Sequence, residues 1–282
     1  MTAADTQAWP DTVSARRIRF VSQVQSGDSV LLEFSEPSRR YAVTEPLLPE
    51  EIPAALERAE SYDEFCLFFS PNGSGAAFDW RQHIERKVSK PSLDKAGLRI
   101  ELAIKGEQIF WRPGCAVVQG VGAPLDETLF ALADFAFREA ELRRLEQDIE
   151  RIWQGAETHI PFTHQVDAVA IKSWPEINER TERVTRCRMR FARLAPWLGT
   201  PSMALSGPAR RLAAQMTGQA GVAERLEAVD DLLEVLEDLY ELANDRLSEF
   251  SYFRYESHLE LWVIALLLTE VILLLWELTR GQ

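Results

Sequence analysis

The longest regular pattern in the chain lies near its end. From Val222, apolar or near-apolar residues fall at Leu226, Val229, Leu233, Leu236, Tyr240, Ala243, Leu247 and Phe250, in unbroken steps of four and three. That 3.5-residue period belongs to a helix packed along one seam. The run Leu259 to Leu278, LELWVIALLLTEVILLLWEL, follows, and neither Pro nor Gly falls between Val222 and Leu278. The pattern predicts one long helix, or two with a hinge at Ser251-Tyr252-Phe253. Its first part, 222–256, reads as an acidic heptad stalk of coiled-coil type, with Leu226, Leu233, Leu236, Tyr240 and Leu247 as interaction positions.

The second part, 257–279, is about one bilayer long as a helix. Its centre, Leu261 to Trp276, holds eleven Leu, Val and Ile residues. These favour insertion by roughly 3–7 kcal/mol in total, against about 3 for one central Glu. The expectation is therefore a single C-terminal transmembrane helix, the alternative being a buried helix of a soluble bundle. Glu260, Glu270 and Glu277 fall within about 100° of one another at 100° per residue. Such a stripe faces protein or water, which points to self-association or a partner helix. The plainer reading puts Glu260 and Glu277 at the two headgroup levels.

Earlier in the chain the period is two. Arg17–Gln25 and Ser29–Ser35 flank a Ser26-Gly27-Asp28 turn and read as a hairpin. Tyr41–Thr44, Glu64–Ser70, Leu98–Lys105, Gln108–Trp111 and Cys115–Gln119 read as further strands. Helices are expected at Glu50–Ser61 and Asp79–Ser89. Residues 1–15 read as disordered and 16–120 as a small α+β domain. Residues 121–221 read as helical, with helices at Leu125–Trp153, Trp174–Trp197 and Pro208–Met216.

Charge adds a pairing. Arg180 to Arg193 carries six Arg against Glu182 alone, while Glu224 to Glu249 carries ten Asp and Glu against Arg225 and Arg246. An antiparallel hairpin would set the two against each other, with Arg183, Arg186 and Arg190 as the basic contacts, and leave acidic surface for a basic protein partner. Exposed pairs of this kind are each worth about 0.2–1 kcal/mol, so their role is register and partner choice. The formal net charge of −13 argues against general nucleic-acid binding. Cys66, Cys115 and Cys187 are far apart and outside any CxxC spacing, which fits a reducing compartment. The first fifteen residues lack a signal-peptide core. Together these features lead to an expected tail-anchored protein with its bulk in the cytoplasm, at the inner membrane in a bacterium.

Candidate chemistry is sparse. Ser70-Pro71-Asn72-Gly73-Ser74-Gly75 lacks the Lys of a phosphate-binding loop. His159 and His164 lack further metal ligands, and His83 and His258 are isolated. No nucleophile or dinucleotide motif is present. No catalytic residue, cofactor or metal is therefore assigned.

The C-terminal motif Ser257-His258-Leu259-Glu260-Leu261-Trp262-Val263-Ile264, ending at Glu270-Val271-Ile272, resembles that of the required-for-meiotic-nuclear-division and sporulation family. Arg225-Leu226-Glu227-Ala228-Val229-Asp230-Asp231-Leu232-Leu233-Glu234 is similar to that family's penultimate helix. Gln108 to Val118 is similar to its aromatic–Gly–apolar hairpin, except that Trp111 precedes Gly114. The resemblance implies an N-terminal α+β domain of unknown function, long helices, one C-terminal membrane helix and a non-catalytic, oligomeric role. The expected function is a membrane-anchored scaffold that forms a homo-oligomer. The alternatives are a tethered enzyme or ligand-binding module in the α+β domain, and a channel-like assembly built on Glu270.

Overall fold

In the computed structural model of the chain, the described residues are 14–52, 63–70, 98–104, 106–120, 125–164 and 170–280. Side chains are described for all of these except Pro49, Leu125, Leu274, Leu275 and 277–280. The chain divides into two compact units, Met1–Glu146 with Arg190–Ala228, and Gln147–Met189 with Val229–Gln282.

The first unit is built on a seven-stranded mixed sheet. Its strands are β1 (Ser14–Val21), β2 (Ser29–Phe34), β3 (Arg40–Leu47), β4 (Glu64–Ser70), β5 (Ile100–Ile104), β6 (Glu107–Arg112) and β7 (Cys115–Gln119), in the order β2-β3-β1-β4-β7-β6-β5. The continuous apolar run of β4 sits at the middle, as burial on both faces requires, and its Phe65 to Ser70 are all buried. β4 pairs antiparallel with β1 and parallel with β7. The expected β1–β2 hairpin does not form. β3 lies between them, antiparallel to both, and a bulge between Val30 and Leu32 adjusts its register with β2. Of the two helices expected before Leu98, Glu50–Ser61 is described only as far as Ile52, beginning with a 3-10 turn at Pro49–Glu51. Asp79–Ser89 and residues 71–75 of the Gly-rich loop lie outside the described residues, as do 1–13.

Among the described residues four α-helices follow: α1 (Leu125–Ala156), α2 (Trp174–Leu198), α3 (Gly207–Gln219) and α4 (Val222–Arg280). Ile18, Phe20, Phe34, Leu67, Trp111 and Val118 of the sheet form one apolar core with Leu129, Leu132, Phe135 and Phe137 of α1, the end of α2 and the buried face of α3. Ser206 caps α3 by accepting from the Ala209 amide, satisfying a donor with no partner inside the helix. Gly221, at φ +59°, stops α3 in the left-handed conformation that costs glycine nothing. α4 starts at the next residue.

The second unit contains the end of α1, 3-10 turns at Glu157–Thr163 and Ala170–Ser173, most of α2 and most of α4. Ile149, Ile152, Ile177, Val184, Val229, Leu233, Leu236, Tyr240, Ala243 and Leu247 are buried there. α2 and α4 run antiparallel: Arg188 bonds Asp230 near the start of α4, and Asn244 donates to Thr181 at 2.8 Å farther along.

Two expectations are corrected. Among the described residues no helix is long and apolar enough to cross a membrane, so the transmembrane helix, the tail anchor and the membrane location are not supported. Between Glu260 and Glu270 only nine residues lack a charge, far fewer than the ~20 a span requires. The coiled-coil stalk is not supported either. Its seam is taken up within the chain, because a 3.5-residue period suits any helix packed lengthwise, whether its neighbours belong to another chain or to its own.

Candidate functional site

From Leu129 to Arg143, α1 is buried on nearly every side, yet it carries Asp134, Arg138, Glu139, Glu141 and Arg143 there. Buried charges persist only when paired and hydrogen-bonded, and each of these is. Arg138 donates from Nε to Asp134 at 2.9 Å, from Nη1 to the Trp197 carbonyl, and lays its guanidinium 4.2 Å from the Trp197 ring centre. Arg225 of α4 forks onto two carboxylates. Its Nε and Nη2 reach Glu146 at 2.7 and 2.8 Å, and its Nη1 reaches both Glu139 oxygens at 3.0 and 2.7 Å. Arg143 closes on Glu139 at 2.7 Å. Burial alone would lower the Arg225 pKa, but Glu146 and Glu139 outweigh it and hold the guanidinium above its usual range.

A second chain of ion pairs starts at the sheet. Arg40 of β3 meets Asp63 at 2.7 Å, Arg144 of α1 meets the same oxygen at 2.7 Å, and Arg144 and Arg190 both hold Glu141. Burial pushes the Asp63 carboxyl up, but Arg144 and Arg40 together bring it below its ordinary value. Guanidiniums stay charged because they do not deprotonate in proteins, so these networks tie the elements together permanently. Asp134 Oδ1 and Trp111 Nε1 are buried with no hydrogen-bond partner among the described residues.

In the second unit, His159 is buried and shares a 3.1 Å hydrogen bond between Nδ1 and the Tyr240 hydroxyl, with its Nε2 3.6 Å from Glu176. Burial first, and Glu176 after it, push the Tyr240 phenol up, against Arg180. His159 is thus engaged as a packing group. His164 and His258 are not brought to it by any described contact, and His83 lies outside the described residues. Among the described residues no cluster of His, Cys, Asp or Glu is arranged to hold a metal ion.

A half-open cleft, about 240 Å³, lies between β5, β6, the start of α1 and α3. Buried Glu107 lines it and takes a 3.4 Å contact from Thr128. Gly120 packs so closely on Glu107 that a Cβ there would come within 2.7 Å of its Cγ. Apart from Thr128 and Glu107, its polar lining is Glu127, Arg211 and Gln215.

The residues expected to act are placed as follows. Leu233, Leu236, Tyr240 and Leu247 are inaccessible, and Leu226 packs on the sheet core. Arg183 and Arg186 pair with Glu179 and Glu182 of their own helix, and Arg190 pairs with Glu141. Of the arginines named, it is Arg188 that forms ion pairs between α2 and α4, with Asp230 and, at 3.5 Å, Glu237. Glu260 and Glu270 are exposed on α4; the side chain of Glu277 is outside the description. Around the first two, large apolar groups stand in the open: Leu261, Trp262, Val263, Ile264, Leu266, Leu267, Leu268, Val271, Ile272, Leu273 and Trp276.

Cys66 and Cys115 are buried and stand opposite one another in the β4–β7 register. Burial lifts the Cys115 thiol from 9.0 to about 11, against the pull of Arg112. A thiol reagent at neutral pH is expected to reach Cys187 at most in the native protein, and all three cysteines after denaturation. The unfolded thiol ionises above pH 9 and the folded one only near 11. This contribution to stability is therefore complete below pH 9 and falls as the pH rises through that window.

No protein-family model matches the chain, and no curated protein matches it significantly. The resemblance to the meiotic-nuclear-division and sporulation family therefore rests on its quoted residues alone.

Proposed function

We propose that the protein is an interaction scaffold, whose chains assemble through the last third of α4 while the sheet unit is displayed. The observation behind this is the row of open apolar side chains from Leu259 to Trp276. A helix apolar on all sides is stable only when buried. The exposed area is on the order of 1,000 Å² per chain, above the ~800 Å² each partner gives to a standard interface. Because the apolar surface runs round the helix, two chains cover only part of it, so the reading favours a bundle of several copies. Glu260 and Glu270, within about 80° of each other, then lie on one side and meet their counterparts or solvent.

Sedimentation of the full chain across a range of concentrations tests this. The wild type is expected to sediment as an oligomer, and Ile264→Lys with Leu267→Lys as a monomer of unchanged helicity, since both side chains are exposed in the single chain. A monomeric wild type overturns the reading. So does an oligomer that survives both lysines, or a chain that stays dispersed only when lipid vesicles are supplied.

A further inference from the structure

The stalk half of α4 has a second apolar row besides its buried seam. Leu232, Val235, Leu239 and Leu242 follow in steps of three, four and three. At 100° per residue they occupy an arc of about 80°. Leu232, Val235 and Leu242 are exposed, Val235 at 52% of its surface, and Leu239 is half-buried. The row is three turns long, about 15 Å at 1.5 Å per residue. It ends where Arg246 and Glu249 pair with each other at 2.9 Å. Along its outer border stand Asp231, Asp238 and Asp245, each seven residues from the next and each exposed. No described residue forms an ion pair with any of the three.

This is one half of a heptad interface: an apolar seam with a flanking row of charge that selects the partner. We infer that the row docks an amphipathic helix of a partner protein whose apolar seam is bordered by Lys or Arg. The charge row excludes a second copy of the same row. Paired antiparallel, Asp would face Asp. Paired parallel, Asp would face Leu236 and Ala243, which offer no cation. The other basic helix of this chain supplies no matching seam, because among the large apolar groups of α2 only Met189 is exposed. The docking row is separate from the assembly segment that begins at Leu259, and the inference holds whether or not the chains assemble there.

The probes are two synthetic three-heptad peptides with Leu in both seam positions, one bordered by Lys and the other by Glu. Binding to the full chain is read by fluorescence anisotropy at low and high salt. The Lys peptide is expected to bind one per chain, at least about tenfold tighter than the Glu peptide, and to weaken as salt screens the charges. Asp231→Lys, Asp238→Lys and Asp245→Lys together should reverse the preference. Val235→Asp with Leu242→Asp keeps the acidic charge and breaks the seam, so it should abolish binding of the Lys peptide. Failure of the Lys peptide to bind the wild type overturns the inference. Binding that survives the seam variant overturns it too, since the attraction is then general to an acidic chain. So does a disulfide between two copies of Val235→Cys, because the row is then covered by the protein itself.

Discussion

Replacing Arg225 by alanine is expected to destabilise the first unit by about 3–5 kcal/mol, the cost of stranding a buried charge. Arg225 makes four contacts of 2.7–3.0 Å with Glu139 and Glu146. The Glu139 side chain is 2% exposed, so water cannot replace the lost guanidinium. Arg143 remains on Glu139 Oε1 at 2.7 Å. A lysine at 225 should recover part of the loss, because a single ammonium cannot fork onto two carboxylates. Glu139→Gln in the Arg225→Ala background should also recover part, by removing the stranded charge. Urea unfolding followed by circular dichroism provides the measurement. A loss under about 1 kcal/mol for Arg225→Ala would show that the pairs behave as solvated surface pairs.

Phe137→Ala is expected to cost a similar ~3–5 kcal/mol, by a different mechanism. The ring is fully buried and lies 5.0 Å from the Phe20 ring, 4.1 Å from Phe34 and 5.8 Å from Trp197. It therefore ties together β1, β2, α1 and the end of α2. Truncation leaves a cavity that these rings cannot close without leaving their own contacts, and each lost aromatic pair adds about 0.5–1.5 kcal/mol. Phe137→Leu fills most of the volume and should cost markedly less. The urea midpoint decides this prediction, and equal midpoints for the alanine and leucine variants would show that the site collapses freely.

Residues differ in how openly they announced their roles. The dense apolar run of β4 was readable as a central strand, and the helix over α1 follows from its 3.6-residue recurrence. The turn at Ser26-Gly27-Asp28 was equally legible, but a turn fixes only where the chain bends. Whether β1 then pairs with β2 or admits β3 between them depends on which arrangement buries Ile18, Phe20 and Phe34 together. The buried charges of α1 were not legible. Asp134, Arg138, Glu139 and Glu141 look like a solvated face, since such residues are rarely buried. Their partners Asp63, Arg190 and Arg225 are distant in sequence, so only the close i,i+4 pairings left a trace. The row Leu232–Val235–Leu239–Leu242 was overshadowed by the stronger seam beside it, and became distinct only once that seam was seen to be buried.

Periodicity and composition by themselves determined where the strands and long helices run, that α4 carries a buried seam, and that its last third is apolar. These are local properties, set by the side chains of each segment and their spacing. Tertiary structure decided which surfaces remain open. It enclosed Leu233, Leu236, Tyr240 and Leu247 within the chain, turned Arg183 and Arg186 onto their own helix, and paired Arg188 of α2 with Asp230 and Glu237 of α4. The same hydrophobic period satisfies an internal neighbour and an external one equally. Only the positions of the other elements show which of them is already there.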